Sequence, residues 1–250
     1  MKESHSRDNF RPLSNKPPGT TLTGKLLFGF RIMGDLQIAS VLRKLAPWLA
    51  MRTGTVLEIG CGAQPYRHLL PSTCVYTGLD WEKAEEHFSY RVPDTVYYDG
   101  SEFPFPDYAF DSLFHTEVIE HVYEAKLFLR ECRRVLKSGG EMFFTIPFQA
   151  RYHYIPFDFW RYTPAALEKL LAEAGFTKIE VFPRGNDITV AAYKNLAVIY
   201  RWLQSGIVGK LLGVFFSPGA FLCLLVGHVS LLFRIGSPDD CLGYVVKART

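Results

Sequence analysis

Apolar residues along the chain follow first a helical and then an alternating strand-helix pattern. Between Leu26 and Ala50, the positions Leu36, Ala39, Leu42, Leu45 and Leu49 recur at helical steps, with Arg43 and Lys44 on the opposite side. This predicts a helical segment that Pro47 breaks or kinks near its end. The period then changes. Short apolar runs at Thr55–Ile59, Val75–Leu79, Thr95–Tyr98, Phe110–Phe114 and Glu141–Ile146 read as strands, with helices expected over Ala63–Leu70 and Val118–Leu136. The longer helix is expected to end at Lys137-Ser138-Gly139-Gly140, and another to start at Thr163-Pro164 and close at Gly175. Lys178–Phe182 and Tyr244–Ala248 read as the sixth and seventh strands. Such alternation, with strands apolar throughout, predicts an α/β fold: a doubly wound, mostly parallel sheet covered on both faces.

With 250 residues, the chain has the length of one well-buried domain. Residues 1–25 are expected to form a disordered polar tail without a secretory apolar core, and 26–250 a single domain. Residues 188–238 would be a helical apolar insertion between strands six and seven. A net charge of +3, with basic residues scattered, gives no footprint for nucleic acid. The five cysteines are odd in number and lack CxxC spacing, which argues against a disulfide framework or a zinc site and suits a reducing compartment; no metal ligands are expected.

The first strand ends in Val56-Leu57-Glu58-Ile59-Gly60-Cys61-Gly62. Two glycines after a strand allow a tight bend that a ligand can approach without meeting a Cβ, at the carboxyl end of the sheet and, by this reading, at a helix N-terminus. A tight turn with no ligand fits the same residues. The second strand ends in Thr77-Gly78-Leu79-Asp80, which places a carboxylate twenty residues past Gly60, where ribose hydroxyls can donate to it. A nicotinamide dinucleotide shares this geometry, but its third glycine is replaced here by Pro65. Glu58 beside an anion-binding bend would be unfavourable; beside an ammonium or sulfonium it is favourable.

These residues resemble the first motif and strand-two acid of class I S-adenosylmethionine-dependent methyltransferases. Asp99-Gly100-Ser101, Phe103-Pro104-Phe105, Phe110-Asp111-Ser112-Leu113, His115 to Val122 and Arg134 to Gly140 resemble that family's later motifs in order. The resemblance implies a Rossmann-like sheet of seven strands with the last one antiparallel, and S-adenosylmethionine as cofactor. It implies that Gly60, Cys61 and Gly62 lie against the methionine part, that Glu58 meets its amino group, and that Asp80 holds the ribose. It further implies that Trp81 packs on adenine, that Asp99 with Gly100 forms the adenine loop, and that the backbone of His115 lines the methionine side.

Beyond strand five, Phe148 to Tyr162 is dense in aromatics. Its Tyr152, Trp160 and Arg161 suit a polar organic acceptor, with His153 and Asp158 as candidate catalytic groups. A packed aromatic cover with a surface Asp-Arg pair fits equally. The Pro-x-Asp-x-Trp-Arg-Tyr-Thr run at 156–163 resembles methyltransferase-like proteins of bacterial glycan biosynthesis.

Leu211–Phe233 carries no Lys, Arg, Asp or Glu, yet Pro218-Gly219 interrupts it and the seventh strand must return to the sheet. A helical hairpin is expected, packed on the domain or in peripheral membrane contact through 207–235, where Leu224 and Leu225 would contribute to lipid binding, with burial in a homodimer as the alternative. The resulting expectation is a cytoplasmic or membrane-associated enzyme that methylates a small-molecule, glycan or lipid-linked acceptor, on oxygen. A non-catalytic membrane-associated binding protein and a nicotinamide oxidoreductase are the alternatives.

Overall fold

A computed structural model of the chain describes residues 10–13, 15–88 and 91–250. Seven strands form one sheet: β1 Thr55–Ile59, β2 Val75–Trp81, β3 Thr95–Tyr98, β4 Phe110–Thr116, β5 Leu136–Pro147, β6 Thr177–Arg184 and β7 Gly243–Arg249, in the order β3-β2-β1-β4-β5-β7-β6. The pairs β1–β2, β1–β4, β2–β3 and β4–β5 are parallel. β7 runs the other way: at its start Leu242 N–H donates to the carbonyl of Arg184, while at its end the Arg249 carbonyl accepts from the hydroxyl of Thr177. The fold is thus the Rossmann-like one anticipated, with its last strand antiparallel.

The reason for the parallel core is visible in burial. Val56, Leu57, Leu113, Phe114, Phe143 and Phe144 are fully buried, so consecutive strand residues are apolar on both faces. Trp48, from α2 (Leu36–Leu49), closes one side with ring centroids 5.1 Å from Phe143 and 6.2 Å from Phe114. The register Glu58↔Gly78 between β1 and β2, and Ile59↔His115 between β1 and β4, brings the carboxyl ends of three strands together.

Several helix boundaries differ from the sequence reading. The segment from Leu26 to Ala50 is two helices, α1 (Leu22–Gly34) and α2, separated at Asp35, whose side chain accepts from the N–H groups of Gln37 and Ile38. Ala63–Leu70 is not an α-helix: Gln64 takes a left-handed φ of 54° before Pro65, and only Arg67–Leu69 forms a short 3-10 turn. Val118–Leu136 divides into a 3-10 turn, Ile119–His121, and α4, Ala125–Val135. Lys137 to Gly140 belong to β5 rather than capping that helix. A short α3 (Ala84–Phe88) was not anticipated, whereas α5 (Pro164–Ala174) has the expected Thr163 cap and ends at Gly175 with φ 90°. Of the polar tail, residues 1–9 and 14 lie outside the described residues. Phe10, Pro12 and Asn15 engage Tyr154, Tyr154 and Tyr66, respectively.

The chain divides into two compact units, one of residues 1–18, 44–182 and 244–250, the other of 19–43 and 183–243. In the second, α6 (Asp187–Leu203) and α7 (Ile207–Phe233) are consecutive helices around a small core of Leu36, Val190, Ala192 and Leu242. A hairpin does form, but its turn lies at Gln204 to Gly206; Pro218 sits inside a continuous α7. The close approach of α7 to its neighbours explains Gly227, where a Cβ would lie 2.6 Å from Leu36 and 3.3 Å from Ala192. Leu224 packs against this core, so of the two leucines proposed for lipid contact only Leu225 is exposed.

Candidate active site

The bend after β1 is built as its glycines require. Gly60 and Gly62 have φ of 62° and 53°, in the left-handed region that favours glycine. A Cβ on Gly60 would stand 2.5 Å from Cγ2 of Val118, so the bend presses directly on the segment after β4. Asp80, buried at the end of β2, closes the bend by accepting from the N–H of Gly62 at 2.8 Å, and its other oxygen accepts from the N–H of Trp81 at 2.8 Å. Burial raises the Asp80 carboxyl to about 6, against the lowering effect of those two hydrogen bonds.

Glu58 is buried beside it, hydrogen-bonded by the Tyr76 hydroxyl. Burial pushes its carboxyl up to about 8; the Tyr76 hydrogen bond opposes this and the nearby Asp80 adds to it. Tyr76, Gly78 and Asp80 share one face of β2 by the two-residue period of a strand. The missing side chain at Gly78 makes the space for this cluster: a Cβ there would lie 2.9 Å from Cys61 Sγ and 3.2 Å from the Tyr76 hydroxyl. Cys61 is buried, and burial followed by the two carboxylates pushes its thiol far up, so it serves as packing. Tyr76 was not singled out from the sequence. Its position two residues before Gly78, facing the same way, was the available signal.

Trp81 follows Asp80 with its ring stacked on His87 (centroids 5.2 Å) and edge-on to Phe157 (5.5 Å), and its indole N–H donates to the Asp99 carbonyl at 3.3 Å. Gly100, at φ 96°, lets the loop pass this indole. The Asp99 side chain is exposed and turned onto Ser101, accepting from its N–H and hydroxyl, which hold it below the usual carboxylate range. The side chain of His115 takes no part: it is fully buried, stacked on Phe144 at 4.5 Å, with neither ring nitrogen hydrogen-bonded, and burial lowers it to about 3.

In the loop after β5, where the acceptor was expected, His153 and Asp158 are together and buried. Asp158 accepts from both guanidinium nitrogens of Arg161 (2.6 and 2.8 Å) and from the backbone N–H of His153 (3.1 Å), and lies 2.9 Å from His153 Nδ1. Burial alone would raise Asp158, but His153 and Arg161 hold it well below the usual carboxylate range. Its oxygens are therefore occupied, and it orients its neighbours. Tyr152 and Trp160 are exposed, with Trp160 Nε1 donating to the Val122 carbonyl at 3.1 Å. Glu120 and His121 lie beside His153, and burial, then His153, lowers His121 to about 4.

Comparison with known proteins decides between the cofactor classes. A "Methyltransferase domain" family profile matches residues 57–144, which spans the glycine bend to β5. A probable S-adenosylmethionine-dependent methyltransferase of Mycobacterium tuberculosis is 30% identical over 195 residues, 70% of this chain and 69% of that protein. The chain belongs to the S-adenosylmethionine-dependent methyltransferases. A fatty-acid O-methyltransferase of Mycolicibacterium smegmatis is 35% identical over 99 residues, 36% of each chain. The fold is also that of an Archaeoglobus fulgidus methyltransferase structure, with a TM-score of 0.53 at 18% identity, covering 90% of this chain and 99% of that one. The methyltransferase therefore uses S-adenosylmethionine, and the nicotinamide alternative falls away. The geometry agrees. With no α-helix after the bend, there is no aligned row of N–H groups for a pyrophosphate, while two buried carboxyls suit a cationic ligand. Glu58 and Asp80 are the residues that would hold the amino and ribose groups; the cofactor supplies an activated methyl on sulfonium.

Proposed function

We propose that this methyltransferase methylates an oxygen of a lipid-linked acceptor with a polar or sugar headgroup, at a membrane surface. The observation that carries the reading is α7, which is long and apolar enough to cross a membrane and has only 11% of its most apolar window buried. Phe215 is 76% and Phe221 73% exposed, and Leu22, Leu26, Leu27 and Phe30 of α1 are exposed as well. Apolar surface on this scale is stable in contact with lipid rather than water. Lys25, Lys210 and Arg234 are exposed at the edges of these helices, where anionic headgroups are met. The similarity to a fatty-acid O-methyltransferase supports an oxygen on a lipid, and exposed Tyr152 and Trp160 supply aromatic faces for a headgroup.

In the reaction, the acceptor oxygen forms a bond to the methyl carbon as the carbon–sulfur bond breaks. The electron pair stays on sulfur, which leaves as neutral S-adenosylhomocysteine, and the acceptor proton goes to solvent. In-line displacement needs alignment above all, which fits a site rich in binding groups. The test is labelled methyl transfer to lipid and aqueous fractions of a cell extract, together with vesicle flotation. Label in the lipid fraction, and release of Phe215→Ser/Phe221→Ser/Leu225→Ser protein from anionic vesicles, are expected. Label confined to the aqueous fraction, with no vesicle binding, would overturn the reading.

A further inference from the structure

Residues 10–13 and 15–18 form no helix or strand, yet they are fastened to two loops. Asn15 donates through Nδ2 to the Tyr66 hydroxyl at 3.0 Å. The Phe10 carbonyl accepts from Tyr154 N–H at 3.1 Å, the Pro12 carbonyl accepts from the Tyr154 hydroxyl at 3.3 Å, and the Phe10 ring meets the Arg151 guanidinium. One fastening is on the loop that follows the Gly60–Gly62 bend, and the other is on the loop after β5. The sequence alone predicts a disordered tail here and singles out none of these residues.

Asn15 carries the observation that goes further. Its Oδ1 is buried without a hydrogen-bond partner, although Nδ2 is satisfied. A buried acceptor left unpaired is costly, and the cost is relieved when a donor arrives. The neighbours say which kind of donor fits. Tyr66, whose hydroxyl Asn15 meets, is buried; burial raises its phenol, the Asn15 bond opposes this, and the carboxylates of Glu117 and Glu58 raise it further. Asn15 is thus bonded to a hydroxyl on which two carboxylates act, and one of them is Glu58, the group that would hold the amino end of the cofactor. One more acceptor among carboxylates suits a cationic donor, an ammonium, rather than an anion.

The segment is also built to move. With no strand pairing to break, its contacts can open without disturbing the sheet. Pro12, Pro17 and Pro18 stiffen it. Asn15 serves the Tyr66 hydroxyl when the segment is down, and water can serve it when the segment lifts.

We propose that residues 10–13 and 15–18 are a strap that closes on the cofactor, with Asn15 as a further cofactor ligand whose Oδ1 accepts from the ammonium of the methionine part. The ammonium relieves the buried acceptor only in the closed state, and this is the differential contact that a ligand-driven closure requires. S-adenosylmethionine and S-adenosylhomocysteine both carry that ammonium, so the strap closes on the product as well and must lift for exchange. The proposal uses the placement of the amino group at Glu58 and is independent of the acceptor.

The test compares the binding of S-adenosylhomocysteine to full-length protein with that of methylthioadenosine, a sulfur nucleoside without the amino acid. Asn15→Leu should weaken S-adenosylhomocysteine by roughly 10-fold or more, as for a hydrogen bond to a charged group. Methylthioadenosine should bind this variant as it binds wild type, which also reports that the variant is folded. Asn15→Asp, which keeps an acceptor, should bind S-adenosylhomocysteine at least as tightly as wild type. Stopped-flow rates test the strap itself. Phe10→Ala/Tyr154→Phe loosens the strap without touching Asn15, and should raise the association and dissociation rates of S-adenosylhomocysteine together, each by about 10-fold. Wild-type affinity in Asn15→Leu, or an equal loss for both ligands, overturns the Asn15 contact. Unchanged rates in the double variant, or faster dissociation with association unaltered, overturn the strap as a gate.

Discussion

Asp80 accepts a hydrogen bond from the backbone N–H of Gly62 at 2.8 Å, so the acid at the end of β2 shapes the bend at the end of β1. One carboxylate therefore holds the bend after β1, and it is also the group we propose as the ribose ligand. The two tasks separate by substitution. Asp80→Asn keeps an oxygen for Gly62 and should retain most thermal stability, while losing roughly 10–100-fold in S-adenosylmethionine affinity, as for a hydrogen bond to a charged group. Asp80→Ala should lose affinity by at least as much and also melt several degrees lower. Equal melting temperatures for the two variants would show that the Gly62 contact does not hold the bend.

The Glu58 carboxyl sets the pH response. Its value rises from 4.5 to about 8 on folding, so the unliganded folded state takes up a proton that the unfolded chain lacks between those limits. The associated stability is fully present below pH 4.5 and is lost as pH rises through 8. An ammonium group beside Glu58 reverses the preference and expels the proton. Affinity for S-adenosylmethionine should therefore rise with pH, by up to about tenfold per unit below pH 8, and level off above it. Calorimetry in buffers of different ionisation enthalpy measures the released proton. A flat profile from pH 6 to 9 in wild type, identical to that of Glu58→Gln, would remove this role.

Gly60 is the position where a side chain should be least tolerated. With φ at 62° and Val118 Cγ2 2.5 Å from a built Cβ, Gly60→Ala meets both backbone strain and a clash. The strain alone costs about 1–3 kcal/mol. Gly60→Ala should lower the melting temperature and abolish measurable cofactor binding, and a second change, Val118→Ala, should recover part of the stability. Wild-type melting in the single variant would contradict the close packing.

The N-terminal segment covers two loops. Asn15 donates to the buried Tyr66 hydroxyl at 3.0 Å, the Phe10 carbonyl accepts from Tyr154 N–H at 3.1 Å, and the Arg151 guanidinium lies 4.4 Å from the Phe10 ring centroid. Deletion of residues 1–18 should speed amide exchange in 63–70 and 150–158 while leaving β1 and β4 protected. Unaltered exchange in both loops would mean that the segment does not hold them.

How much of this was legible depended on whether local spacing or tertiary contact sets the feature. The seven strands, the bend at Gly60 and Gly62, and Asp80 could be read because period and turn chemistry are local. Ala63–Leu70 could not, because Pro65 and the left-handed Gln64 override its apolar spacing. Pro218 misled in the opposite direction: α7 continues through it, so the hairpin turn falls at Gly206 instead. The partnership of Tyr76 with Glu58 depends on strand register, and that of Glu120 and His121 with His153 on a loop returning to the end of β4. Neither is encoded in spacing along the chain. The clamp of Asp158 by Arg161 and His153 likewise depends on how the loop after β5 folds back on itself.

The most direct measurement is a calorimetric titration of wild-type protein and the Glu58→Gln/Asp80→Asn double variant with S-adenosylmethionine, and with NAD+ as a control. Saturable binding of S-adenosylmethionine to wild type at one equivalent, a loss of at least about 100-fold in the double variant, and no heat with NAD+ are the expected results. Equal affinity in wild type and double variant would contradict the assignment of the two buried carboxyls as the cofactor's cradle.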